Sequence, residues 1–171
     1  MLPHTVIIMG VCGCGKTLIG EGIAAAVNGV FEDADDFHTD AARAKMRSGK
    51  PLTDEDRWPW FDKLRARIEE MRGITPCYVL ACSALRHSYR ERLRATDLAE
   101  ALRFVFLEGS FELIESRMAK REGHYMPLAL LRSQFAILEV PTADEALIVS
   151  IDDDPEAIVA VALSGLRKAV P

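Results

Sequence analysis

The sequence predicts an α/β protein in which helices cover both faces of a parallel β-sheet. Segments with the apolar patterns of strands and of helices alternate along the chain, as they do in folds of this class. A glycine-rich loop joins the first strand to the first helix. A length of 171 residues suits one hydrophobic core, and neither an internal repeat nor a linker-like segment divides it. We therefore expect residues 1–171 to form a single domain.

The strands are predicted where short apolar runs occur, because the strands of a parallel sheet are buried on both faces. The five strand candidates are residues 5–9, 30–33, 78–82, 103–107 and 147–151.

The first and last helices have recognisable ends. Ile19 and Ile23 begin an apolar face after the glycine-rich loop, and Gly29 marks the end of that helix. The last helix should begin at Pro155, with Asp154 as its N-cap. Its inner face is predicted to consist of Ile158, Ala162 and Leu166.

A charged and mostly helical insertion, about residues 38–72, separates the second strand from the third. One helix is expected over residues 39–47. A second begins near Thr53, which resembles an N-cap followed by the acidic residues of a first turn. We assign this insertion to substrate binding.

The loop after the first strand matches the phosphate-binding pattern G-x-x-x-x-G-K-[ST]. Glycines allow the backbone to wrap around anionic oxygens, and the N-terminus of the following helix favours negative charge. Lys16 is expected to reach the β- and γ-phosphates, and the Thr17 hydroxyl to bind Mg²⁺. The sequence therefore predicts a nucleoside triphosphate site at Gly10, Val11, Cys12, Gly13, Cys14, Gly15, Lys16 and Thr17.

The acidic residues identify which kind of phosphate-loop protein this is. No acid follows the third strand, where motor ATPases and GTPases place one, and the guanine-reading motif Asn-Lys-x-Asp is absent. Asp33 and Asp35 instead follow the second strand, on a segment expected to be extended, so that both carboxylates face the ligand crevice. One can hold the metal while the other meets an acceptor hydroxyl, an arrangement that indicates a small-molecule kinase. Asp33 is the candidate for a metal ligand or for the general base. Asp35 is the candidate for binding the hydroxyls of the acceptor.

Composition excludes several other classes of protein. A net charge of −5 argues against a broad nucleic-acid surface. No apolar run approaches the roughly 18 residues that a membrane span needs. The N-terminus has no signal-peptide pattern, so we expect a cytoplasmic protein without nucleic-acid or membrane partners.

The four cysteines are expected to be reduced thiols, because their spacing does not match a zinc site. Cys14 lies two residues before Lys16 and close to a helix N-terminus, and both features favour a thiolate. We therefore expect its pKa to lie below that of a free thiol and Cys14 to be the most reactive cysteine.

Beyond the phosphate loop, several further motifs resemble the gluconokinases, phosphate-loop kinases of gluconate. The matching stretches follow the order of that family from about residue 6 to residue 141. They are Asp35-Asp-Phe-His38, Lys45-Met-Arg-Ser-Gly49, Pro51-Leu-Thr-Asp-Glu-Asp-Arg-Trp-Pro-Trp60, Cys82-Ser-Ala-Leu85, Tyr89-Arg90, Gly123-His-Tyr-Met-Pro127, Ser133-Gln-Phe135, Leu138-Glu139 and Pro141. The resemblance implies the fold of shikimate and nucleoside monophosphate kinases, with strand order 2-3-1-4-5 and a short lid. It also implies ATP and Mg²⁺ as cofactors, gluconate as substrate and a possible homodimer.

Gluconate is an anion, so the resemblance also implies a cation in its site. Arg57 is the first candidate, because a guanidinium can grip a carboxylate with two hydrogen bonds; it could instead pair with Asp54 or Glu55. Arg90 is a weaker candidate, with a solvated helix face as the alternative.

Two further groups complete the predicted site. His38 and His124 could donate hydrogen bonds to sugar hydroxyls. Arg117 and Arg121 are expected to belong to a lid, about residues 117–127, that closes over the phosphates, with Arg121 assigned a catalytic role.

The chain departs from the family pattern at three positions. Cys12 and Cys14 stand where the loop usually carries serines, and Ala34 stands in place of a glycine. Backbone N–H groups hold the phosphates, so ATP binding should survive these changes. Two alternatives to a gluconokinase are a shikimate-like kinase of another small acid or polyol and a non-catalytic nucleotide-binding regulator.

Overall fold

The computed structural model describes residues 2–48, 50–95, 101–120 and 128–168. These residues contain a five-stranded parallel sheet with the strand order β2-β3-β1-β4-β5, which confirms the predicted fold. The strands are β1 (Thr5–Met9), β2 (Val30–Asp33), β3 (Tyr78–Ala81), β4 (Leu102–Glu108) and β5 (Ala146–Ser150). The first two strands have the predicted bounds. In the other three strands, each bound that differs from the prediction is shifted by one residue.

Seven helices surround the sheet in the described part of the chain. They are α1 (Lys16–Ala26), α2 (Asp40–Arg47), α3 (Asp54–Met71), α4 (His87–Arg94), α5 (Phe111–Ala119), α6 (Leu128–Ile137) and α7 (Pro155–Lys168). None of the helices in these residues combines the length and the apolar character that crossing a membrane would require.

The side chains of β1 alternate between two cores, one on each face of the sheet. Val6 and Ile8 are fully buried in the core that also contains residues of α1 and α7. Ile7 and Met9 are fully buried in the opposite core, together with residues of α3 and α4. Helices therefore cover both faces, as predicted, and β1 is buried on both.

The predicted helix starts are confirmed by their capping contacts. Thr39 caps α2 by accepting a hydrogen bond from Ala42 N at 3.1 Å. Thr53 and Asp56 form a reciprocal capping box at the start of α3. Lys45 on α2 contacts the same Asp56 carboxylate at 2.5 Å, so this one acid fixes the insertion's two helices to each other. At the other end of the chain, α7 begins at Pro155 and buries the three residues predicted for its inner face.

The topology brings the ends of the inner strands to one place. All strands are parallel, so their carboxyl ends share one edge of the sheet. The phosphate loop follows β1, Asp33 ends β2, and Ser83 lies just after β3. Gly10 N donates to Ser83 O at 3.3 Å, which joins the loop to the segment after the neighbouring strand.

Candidate active site

Three glycines shape the phosphate loop. Gly10, Gly13 and Gly15 have φ angles of +140°, +79° and +101°, values that other residues rarely adopt. A side chain at Gly13 would also lie 2.7 Å from Met118 Cγ on α5. Gly15 is the N-cap residue of α1. Because glycine has no side chain that could cap the helix, the backbone N–H groups of the first turn are left without a cap from this residue.

Lys16 folds back across this loop. Its Nζ donates to the carbonyl oxygens of Gly10 and Val11, at 3.1 and 3.0 Å. The ammonium group is therefore held over the concave side of the loop, where an anion would be bound by the backbone N–H groups.

Thr17 and Asp33 place two oxygen ligands beside the loop. The Thr17 hydroxyl lies 3.4 Å from Asp33 Oδ2 and donates to it. Burial raises the pKa of Asp33, and the nearby carboxylates of Asp35 and Asp36 raise it further, while Asp35 N lowers it by donating to Oδ1 at 3.0 Å. A hydroxyl and a carboxylate are hard oxygen ligands of the kind that Mg²⁺ binds, so these two residues fit a divalent cation.

The segment that carries Asp35 is a 3₁₀ turn, Ala34–Phe37, and the expectation of an extended segment was wrong. The reason is the Asp33 side chain, which caps the turn through Asp35 N. Both carboxylates nevertheless lie close enough to Lys16 for its positive charge to lower their pKa values. Both carboxylates therefore remain near the phosphate loop, where Asp33 contacts Thr17 and Asp35 contacts His38.

Asp35 is exposed, with 84% of its side chain accessible, and its main contact is His38. His38 Nε2 lies 3.6 Å from Asp35 Oδ1. This contact is the largest cause that lowers the pKa of Asp35, and the charges of Lys16 and Arg43 add to it. Asp35 is therefore an ionised hydrogen-bond acceptor at neutral pH.

His38 itself is buried and rigidly held. Its ring stacks on Trp60 with the centroids 4.3 Å apart, and Trp60 Nε1 donates to Ala34 O at 2.8 Å. The Nδ1 atom of His38 is buried and has no hydrogen-bond partner among the described residues.

An open cleft of about 570 Å³ lies against α2, and we call it the α2 cleft. Its lining residues are Asp35, His38, Asp40, Arg43, Met46 and Arg47. Arg43 is fixed there by two backbone carbonyls, since Nε donates to His38 O at 3.1 Å and Nη2 to Asp36 O at 2.6 Å. Sequence reasoning missed Arg43; the available signal was its position four residues after the Thr39 cap, on the first turns of the helix that follows the acidic segment.

Arg57 lies in a different polar cluster, between α3 and α4. Its Nη1 donates to the Tyr89 hydroxyl at 2.8 Å and lies 3.8 Å from Asp54 Oδ1. The Tyr89 hydroxyl in turn donates to Asp54 at 2.6 Å, and Arg86 contacts the other oxygen of Asp54 at 3.2 Å. The pairing with Asp54 that the sequence left open is therefore present, and the assignment of Arg57 to the substrate stays a prediction.

Arg90 lies in the interior, only 1% exposed. Its guanidinium pairs with Glu145 at 3.2 Å and donates to the carbonyl oxygens of Ala84, Leu85 and Glu139. Its donors are therefore occupied by protein groups, and in the described residues these partners do not include Asp35 or His38.

The predicted lid falls largely outside the described residues. Arg117 is described, at the end of α5, and its Nη2 donates to Ile151 O. Arg121 and His124 belong to residues 121–127, outside the described ranges. Their roles stay predictions.

A second contact missed by sequence reasoning links α6 to the phosphate loop. Cys12 N donates to Gln134 Oε1 at 2.6 Å, across 122 positions of the chain. Gln134 belongs to the motif Ser133-Gln-Phe135, which marked the resemblance without indicating this role. The bond uses the backbone of residue 12, so it does not depend on whether serine or cysteine stands there.

The prediction of a lowered pKa for Cys14 was wrong. Burial raises its pKa, and this effect exceeds the lowering by Lys16 and by the loop N–H groups. Its side chain is 2% exposed and belongs to the same buried core cluster as Val11 and Ile114. Burial also raises the pKa values of the other three thiols, to about 11 for Cys77 and about 12 for Cys82. All four cysteines are free and buried.

The chain is similar to curated proteins over most of its length, although no protein-family model matches it. It is 43% identical to the thermosensitive gluconokinase of Escherichia coli (strain K12), an alignment covering 89% of this chain and 80% of the relative. It is 42% identical to the gluconokinase of Arabidopsis thaliana, covering 89% and 86% of the two chains.

Solved structures give the same result. The crystal structure of a gluconokinase from Sinorhizobium meliloti 1021 superposes with a TM-score of 0.88 at 38% identity, covering 99% of this chain and 94% of the other. A shikimate kinase from Aquifex aeolicus, 15% identical, superposes with a TM-score of 0.58 over 96% of both chains and shows the shared fold alone. Kinases of this fold in general use ATP and a divalent metal. Identity above 40% over nine-tenths of the sequence, with the phosphate loop and the acidic turn in place, shows that the chain belongs to the gluconokinase family.

Proposed function

We propose that this protein is a Mg²⁺-dependent kinase that transfers the γ-phosphoryl group of ATP to the 6-hydroxyl of D-gluconate, giving 6-phospho-D-gluconate and ADP. Membership of the gluconokinase family is the observation that carries this proposal. The groups around the phosphate loop support it, because they supply the positioning and the charge that phosphoryl transfer needs.

The phosphate loop and Lys16 are proposed to bind the triphosphate. Lys16 would exchange its two loop carbonyls for the β- and γ-phosphate oxygens, which are stronger partners because they are charged. Thr17 and Asp33 would hold Mg²⁺, which neutralises charge on the phosphates when it is bound. Burial of Asp33 increases the affinity of that carboxylate for a cation, since no other charge compensates it fully.

Asp35 is proposed to receive the acceptor hydroxyl. In the reaction the O–P bond to ADP breaks, the hydroxyl oxygen forms the new O–P bond, and the hydroxyl proton is released. Because the pKa of Asp35 is lowered, its first task is to orient the hydroxyl by accepting its hydrogen bond. Little base strength is required, since the hydroxyl loses its proton late in a loose transition state. This assigns the metal to Asp33 and the hydroxyl to Asp35.

The remaining proposals concern the other residues of the predicted site and the oligomeric state. His38, buried beside Asp35, is proposed to bind a substrate hydroxyl. Arg117, Arg121 and His124 are proposed to act from the lid, and the protein is proposed to form a homodimer.

The test is an ADP-release assay with Mg²⁺ and ATP and a panel of acceptors. We expect turnover with D-gluconate, and rates near the acceptor-free blank with shikimate and nucleoside monophosphates. A Lys16→Ala variant purified in parallel should be inactive, which excludes a contaminating kinase. Equal or faster turnover with one of the competing acceptors would overturn the proposal.

A further inference from the structure

The residues that line the α2 cleft carry the kinds of groups that would bind a sugar acid. Asp35 and Asp40 offer carboxylate oxygens, which accept hydrogen bonds from hydroxyl groups. Arg43 and Arg47 offer guanidinium groups, which bind carboxylates. A molecule with a chain of hydroxyls and one carboxylate needs both kinds of group within the same cleft.

His38 provides an independent sign that this cleft takes a ligand. Its side chain is only 5% exposed, and its buried Nδ1 has no partner among the described residues. Buried polar atoms are nearly always hydrogen-bonded, because leaving one unpaired costs about 1–3 kcal/mol. His38 lines the cleft, and because Nδ1 has almost no accessible surface, a bound hydroxyl would become its partner when the ring turns towards the cleft.

Arg43 is the more firmly oriented of the two arginines in the cleft, since Arg47 has one long hydrogen bond there, from Nε to Arg43 O at 3.4 Å. Two carbonyl oxygens, those of His38 and Asp36, fix its Nε and Nη2 atoms. Neither bond uses Nη1, which leaves part of the guanidinium edge for a ligand. Fixing the side chain before binding reduces the entropy that binding would otherwise cost.

The other candidate cations are less suited to this role. Arg57 is engaged by Tyr89 and Asp54, and Arg90 is enclosed by Glu145 and backbone carbonyls. Neither lines the cleft that Asp35 and His38 share.

We propose that Arg43 binds the carboxylate of the substrate in the α2 cleft, where Asp35, Asp40 and His38 take its hydroxyl groups. This inference rests on the proposed function, since it names the residue that makes the same site specific for a sugar acid. It places Arg43 ahead of Arg57, whose role stays a prediction, as the carboxylate-binding residue.

The test compares charge removal at the two arginines. Arg43→Gln, Arg43→Lys, Arg57→Gln and the surface control Lys63→Gln are assayed for the KM of gluconate, the KM of ATP and kcat. We expect Arg43→Gln to raise the gluconate KM about ten- to a hundredfold, the effect of losing a charge-assisted hydrogen bond. The KM of ATP and kcat should stay within threefold. Arg43→Lys should recover much of the loss, and Arg57→Gln should raise the gluconate KM less than Arg43→Gln does. The exposed control Lys63→Gln should leave the gluconate KM within threefold.

Binding without turnover gives a second readout. Gluconate should raise the thermal midpoint of wild type and of Lys63→Gln, and the same concentration should have much less effect on Arg43→Gln. A gluconate KM unchanged in Arg43→Gln would overturn the inference, as would a large rise confined to Arg57→Gln. A parallel loss of ATP affinity and kcat in Arg43→Gln that Arg43→Lys does not restore would show a structural role for Arg43 and would also overturn it. Wild-type protein without gluconate kinase activity would instead refute the proposed function.

Discussion

The ion pair between Arg90 and Glu145 offers a prediction that separates folding from substrate binding. Arg90 is almost fully enclosed, and Glu145 supplies its only carboxylate partner among the described residues. Glu145 also accepts hydrogen bonds from Thr142 N at 3.0 Å and contacts His87 Nδ1 at 2.6 Å. The change Glu145→Gln removes the negative charge and keeps the size of the side chain.

The expected cost follows from the burial of Arg90. A guanidinium that loses its charged partner in the interior retains only neutral acceptors, the carbonyl oxygens at 3.0 to 3.4 Å. Hydrogen bonds to charged groups contribute about 1.5–3 kcal/mol, and we expect the free energy of unfolding to fall by about that amount at pH 7. For a chain of this size the thermal midpoint should then fall by roughly 3 to 12 °C.

The pH dependence provides the matching control. Contacts with Thr142 N, His87 and Arg90 lower the pKa of Glu145 to about 2. Its stabilising contribution is therefore complete above the unfolded-state pKa near 4.5 and is lost as the pH falls towards 2. Urea unfolding should show a large difference between wild type and Glu145→Gln at pH 7 and a smaller one at pH 3.

The kinetic result decides the role of Arg90. Because the contacts of Arg90 in the described residues are with Glu145 and backbone carbonyls rather than with Asp35 or His38, the gluconate KM of folded Glu145→Gln should stay within twofold of wild type. An unchanged free energy of unfolding together with a raised gluconate KM would refute this reasoning and would place Arg90 in the substrate site.

Three further predictions concern the acidic turn, the loop and the thiols. Asp35→Asn should lower kcat by a factor of roughly 10² to 10⁴ while the KM of ATP changes less than threefold, and the neighbouring Asp36→Asn should stay near wild type; equal losses in both would contradict the assignment. Gly13→Ala should weaken ATP binding in equilibrium titrations, because φ is +79° and the new methyl would meet α5, whereas Gly73→Ala, which has open space, should not. Iodoacetamide should label Cys14 slowly, with no protection by ATP, because burial raises the pKa of its thiol; rapid labelling found by mass mapping would contradict this.

The fold could be predicted from sequence because its signals are local. The strands of a parallel sheet are buried on both faces, so β1 and β3 appear as unbroken apolar runs. Helix starts are similarly marked by short-range capping residues, as at Thr39 and Thr53. The phosphate loop is a contiguous motif whose residue types follow from its backbone chemistry.

The parts of the site that sequence reasoning missed depend on side-chain direction or on distant partners. The 3₁₀ turn exists because the Asp33 side chain caps it, which an apolar pattern does not reveal. Cys14 is buried, so desolvation outweighs the charge of Lys16, its neighbour two residues on in the sequence, in setting the pKa of the thiol. Arg90 meets Glu145 across 55 positions, and no local pattern on α4 indicates that partner.

The measurement that tests the central claim most directly is identification of the phosphorylated product. Wild-type protein is incubated with Mg²⁺, ATP and D-gluconate, and the mixture is followed by ³¹P NMR and mass spectrometry. We predict one new phosphate monoester, with the phosphoryl group on the 6-hydroxyl of gluconate, formed in equal amount to ADP. Release of ADP with inorganic phosphate alone, or attachment of the phosphoryl group at another hydroxyl, would contradict the account.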